Sequence, residues 1–96
     1  MKAPEVAKYI LESCPTLSQF RVYMFGSSLV KVGCDFDILI VGPSGEILSN
    51  LKSEIKAAGR SLPLDVLYML PEEAEETSFV LRKNCISFES LVNKIP

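Results

Sequence analysis

Apolar and polar positions follow two rhythms along the chain. In the segment APEVAKYILESC, Val6, Ile10, Leu11 and Cys14 recur at helical spacing. Pro4 suits a first turn and Pro15 bars continuation, so a helix is expected from Pro4 to just before Pro15. From Phe20 to Phe25 aromatic and β-branched residues dominate, which reads as a strand. Gly26-Ser27-Ser28 interrupts it, and a second strand is expected over Phe36 to Val41. Gly42-Pro43-Ser44-Gly45 is a turn. Helical spacing returns from Glu46 to Ala58, with Ile47, Leu48, Leu51, Ile55 and Ala58 on the inner side and Gly59 closing it. A third strand covers Leu64 to Leu70. Pro71 then opens a helix whose acidic start (Glu72, Glu73, Glu75) and basic end (Arg82, Lys83) match the helix dipole. Residues 85–96 fit a short strand and a last turn of helix equally well.

Strands two and three are apolar in both phases, so helices or a partner should cover both sides of the sheet. The order helix, strand, strand, helix, strand, helix predicts an α/β (α+β) fold, a small mixed β-sheet flanked by helices. Without repeat or linker, residues 1–96 read as one domain.

Composition narrows the chemistry. Apolar residues are 48% of 96 and charged residues 23%, enough for a modest core and too few charges for a disordered chain. No stretch has the pattern of a signal peptide or the length of a membrane span. Cys14, Cys34 and Cys85 are odd in number and lack a CxxC pair, as expected of reduced thiols in a cytoplasm. There is no histidine. That removes Ser-His-Asp and Cys-His catalysis and every His-ligated metal. A net charge of −2 and a pI of about 5.1 give no overall footprint for nucleic acid, and Lys52, Lys56 and Arg60 read as a solvated helix face.

What remains is a set of acids at strand starts. Asp35 and Asp37 share a phase, and two residues of strand rise separate their α-carbons by about 6.6 Å. At an effective dielectric near 20, unit charges roughly 6.5 Å apart repel by about 2–3 kcal/mol. A shifted pKa or a bound cation relieves this, and a hard divalent ion suits such oxygen ligands. Asp65 also opens an apolar strand, LDVLYML, opposite in phase to Leu64 and Val66. If the two strands are neighbours, three carboxylates meet at one end of the sheet. Each part alone has an ordinary reading: a solvated edge, a simple turn, a strand cap. Together, the Gly26-Ser27 turn adds close backbone approach, amides and hydroxyls for a phosphate. The set then describes a site for a metal-bound triphosphate.

An apolar residue followed by Gly-Ser, a linker, Asp-x-Asp in a strand and an acid on a later strand resembles the DNA polymerase β-type nucleotidyltransferase superfamily. Here these are Phe25, Gly26-Ser27, Asp35-Phe36-Asp37 and Asp65. The chain is most similar to the minimal nucleotidyltransferases, single-domain bacterial and archaeal proteins. The resemblance implies that Asp35, Asp37 and Asp65 are catalytic and bind two Mg²⁺ ions, or Mn²⁺ in their place. It implies nucleotide binding by Gly26, Ser27 and Ser28, while Lys31 reads either as a phosphate contact or as a solvated lysine. The implied reaction transfers a nucleotide, AMP from ATP in particular, to a protein or RNA hydroxyl. The implied partner is a small helical toxin-type protein, with a homo-oligomer as the other option and no membrane. The linker SLVKVGC is shorter than is usual in the family, and Leu29 and Val30 replace its arginine and small residues. The competing reading is a non-catalytic protein that binds a partner or senses a nucleotide on the same fold.

Overall fold

The computed structural model describes residues 2–29 and 35–94. Helix α1 spans Ala3–Ser13. The Glu5 carboxylate accepts the Lys2 backbone N–H at 3.0 Å, closing the first turn, and Pro15 follows the cap residue Cys14. Ala3, Val6, Ala7 and Ile10 are buried, as is Cys14, while Leu11 lies at the margin. The connection Pro15–Gln19 is a 3-10 turn. Its Thr16 N–H donates to Glu54 at 3.0 Å, and the Thr16 hydroxyl donates to the other Glu54 oxygen.

Strand β1 (Arg21–Phe25) pairs antiparallel with β2 (Phe36–Val41), Phe25 standing opposite Asp37. Helix α2 (Glu46–Ala58) then crosses over, so β3 (Leu64–Met69) returns parallel to β2. Gly45, which precedes α2, has φ +94°, where a side chain would strain the backbone. Leu51, Ile55 and Ala58 of α2 are buried; Ile47 and Leu48, in its first turn, are only half-buried.

Beyond β3 the expected single helix is two. Helix α3 (Pro71–Thr77) stops where Ser78 adopts φ +49°, and α4 (Phe79–Arg82) starts in a new direction. The basic end still meets a carbonyl: Arg82 Nε donates to the Thr77 oxygen at 3.0 Å. The C-terminal segment holds both of its alternatives in turn. Strand β4 (Ile86–Ser87) pairs antiparallel with β1, and α5 (Phe88–Val92) follows, capped by the Ser87 hydroxyl, which accepts from Ser90 N–H at 3.1 Å.

The sheet order is β3-β2-β1-β4. One face packs Val22, Met24, Phe36, Ile38 and Ile40 beneath α1, α2 and α5. The other packs Leu39 and Val41 against Ala74 and Phe79 of α3 and α4. Strand β2 is therefore covered on both sides, as its composition predicts. Strand β3 is not: among the described residues it lies at the edge, and on the α3–α4 face Met69 packs into the smaller core while Asp65 and Leu67 are exposed.

Candidate functional site

The acids sit where β2 and β3 begin side by side. Because the two strands run parallel in matched register, Asp37 and Asp65 are direct cross-strand partners. Phe25 completes the row on the far side of Asp37. Side chains of one row share a face, here the face of α3 and α4. Phe25 meets Phe79 edge to face, with ring centroids 5.2 Å apart, so α4 walls one end of the row. The other end, past Asp65, is open among the described residues.

Gly26 lies directly over this row. Its φ is +82°, and a Cβ placed on it would collide with the Asp37 carboxyl, the carboxyl carbon standing 3.2 Å away. Only glycine satisfies both conditions. Ser27, exposed, opens the 3-10 turn Ser27–Leu29, closed by Leu29 N–H donating to the Gly26 oxygen at 3.3 Å. The backbone of Ser28 lies in that turn. Lys31 and the rest of the linker, including Cys34, lie outside the described residues.

Electrostatically the strain falls on Asp37. Partial burial pushes the Asp37 carboxyl above the usual range, and the charges of Asp65 and then Asp35 push it further. A hydrogen bond with the Asp65 carboxyl acts in the same direction, since it needs a proton on one of the pair. Asp35 precedes β2 and is exposed. The structure thus brings Gly26, Asp37 and Asp65 together and leaves Asp35 at the rim. Among the described residues no group of three or more His, Cys, Asp or Glu side chains is drawn close enough to hold a metal ion. The oxygen donors of Asp37 and Asp65 suit one hard cation, with Asp35 near enough for its charge to be felt.

Other candidates fall elsewhere. A cavity of about 640 Å³, lined by Ala74, Glu75, Val80, Leu81, Cys85 and Ile86 among others, touches none of Asp35, Asp37 and Asp65. Lys52, Lys56 and Arg60 are exposed, with Lys52 Nζ 5.1 Å from the centre of the Tyr68 ring. Cys14 and Cys85 are free, and burial, followed by the charge of Glu54, pushes the Cys14 thiol up to about 11. No described helix is long and apolar enough to cross a membrane. Sequence reasoning did not find Phe79. Its only signal was an apolar residue just past an acidic helix, and its role depends on the break at Ser78. Comparison with protein-family models, curated proteins and solved structures found no match.

Proposed function

We propose that the chain is a Mg²⁺-dependent nucleotidyltransferase acting in the cytoplasm, moving AMP from ATP to a hydroxyl of a protein or RNA acceptor. A small helical toxin-type protein is the partner this reading expects. The observation that carries it is the glycine turn packed on Asp37, with Asp65 in register beside it. Asp37 and Asp65, with Asp35 at the rim, would hold the metal, which supplies charge neutralisation for the triphosphate when bound. The backbone at Gly26 and Ser27 approaches the outer phosphates without side-chain obstruction. Asp65 accepts the acceptor's hydroxyl proton, the oxygen bonds to the α-phosphorus, and the bond to the bridging oxygen breaks. Pyrophosphate leaves. Holding the reactants in line provides most of the acceleration.

Incubation with each α-³²P-labelled NTP, Mg²⁺ and a lysate of the source cell tests this. Label should pass to an acceptor with wild type and not with Asp35→Asn/Asp37→Asn. No transfer by wild type with any nucleotide would overturn the proposal. The second reading, nucleotide binding without turnover, draws support from the position of Asp35 outside a closed three-acid group. It is distinguished by ATP binding that persists in wild type with no labelled product.

A further inference from the structure

The acid row stops at a strand with one free side. Among the described residues β3 pairs only with β2. Phe36 N–H donates to the Pro63 oxygen at 2.8 Å and Gly42 N–H to the Met69 oxygen at 3.1 Å. In a parallel ladder these bonds turn the backbone groups of Asp65 and Leu67 inward as well. Leu64, Val66 and Tyr68 therefore face outward. The Leu64 N–H is taken by the Leu62 oxygen at 2.9 Å, but among the described residues Val66 and Tyr68 offer both N–H and C=O to an added strand.

Among the described residues this edge carries few of the devices that keep strands from pairing. Leu64–Met69 contains no proline and no lysine, and its one charge is Asp65. Leu67 is 39% exposed on the acid face. On the opposite face α2 runs alongside: Lys52 lies over Tyr68, Lys56 follows one turn on, and Gly59 touches Leu64. The two sides of the edge thus differ in sign, basic along α2, with Glu73 near Lys52 where β3 ends, and acidic at Asp65.

We propose that the free edge of β3 binds an extended protein segment in which a hydroxyl residue is flanked by acidic residues, and that this segment is the nucleotide acceptor. The assignment rests on the nucleotidyltransferase reading and narrows its acceptor to a protein. Strand side chains alternate, so acidic residues on the side of Lys52 and Lys56 leave every second residue, the hydroxyl among them, on the other face. The residue opposite Asp65 then continues the row Phe25–Asp37–Asp65. A neighbouring strand sits about 4.8 Å away, with opposed Cβ atoms roughly 5 Å apart, which sets that hydroxyl beside the Asp65 carboxylate. The serine or threonine oxygen forms the new bond to phosphorus, its proton passes to Asp65, and pyrophosphate departs.

The test uses fluorescein-labelled short peptides of alternating glutamate and threonine, first without nucleotide or metal. Anisotropy should show saturable binding. Lysine in place of the glutamates, or N-methylation of alternate peptide amides, should weaken it about tenfold or more. Val66→Pro, which removes an outward N–H, and Lys52→Glu/Lys56→Glu should do the same. N-methyl peptides leave the protein untouched, so the test survives a variant that fails to fold. With α-³²P-ATP and Mg²⁺, label should appear on threonine. Equal binding of acidic and basic peptides, or indifference to N-methylation, overturns the proposal. So does a wild-type dimer in sedimentation that becomes monomeric in Val66→Pro, because the edge then belongs to a second copy. Peptide binding without labelling overturns the acceptor role; if label still reaches other molecules, the transferase reading stands without it.

Discussion

At Gly26 a backbone requirement and a packing requirement fall on the same atom. A methyl group there meets the Asp37 carboxyl and also forces a side chain into φ +82°. Gly26→Ala should cost about 1–3 kcal/mol in urea unfolding and lower nucleotide transfer by more than the stability loss accounts for. Asp37 gives a second expectation. Its folded pKa is raised above the unfolded value of 3.8, so the native state favours the protonated form. The associated stability is present below the unfolded pKa and lost as pH rises through the folded pKa. Asp37→Asn should therefore raise the melting temperature at pH 7 in EDTA, and the gain should shrink below pH about 4. A variant that melts lower than wild type at pH 7 would contradict this burial and charge repulsion at Asp37. The spacing of Asp35, Asp37 and Asp65 was legible in the sequence because strand alternation fixes phase. Their closeness was not, since it depends on rotamers and on how far Asp35 lies from the ladder.

At the scale of elements, the breaks that surprised were those without glycine. Gly42 to Gly45 and Gly59 announced themselves, and β2, α2 and β3 fall where the pattern put them, apart from the last residue of β3. Ser78 did not, because serine rarely takes a left-handed conformation. Ser78→Gly should stabilise the α3–α4 joint by about 0.5–1 kcal/mol, read as a higher urea midpoint. The tie between Thr16 and Glu54 joins the first connection to α2 by two hydrogen bonds. Glu54→Ala should cost about 1–2 kcal/mol by the same measurement. Glycine punctuation shows where a chain turns, while which strand ends up at the edge is decided by long-range pairing. That is why β3, apolar in both phases, looked interior.

At the scale of the whole molecule, the two cores have different tasks. The larger one, under α1, α2 and α5, carries stability; the smaller one, around Phe25 and Phe79, shapes the acid row. Phe88 is fully buried in the larger core, so Phe88→Ala should cost about 3–5 kcal/mol in equilibrium unfolding. That is a large share of the total a domain this size has.

Helix α1 packs on α5, and among the described residues β1 gains its outer partner from β4. As the chain grows, the greasy side of α1 stays open until residues 88–92 have been added and α5 can shelter it. Until then Val6 and Ile10 are open to chaperones, and nascent chains halted after β3 should be captured by them more than chains that carry α5, as read by crosslinking.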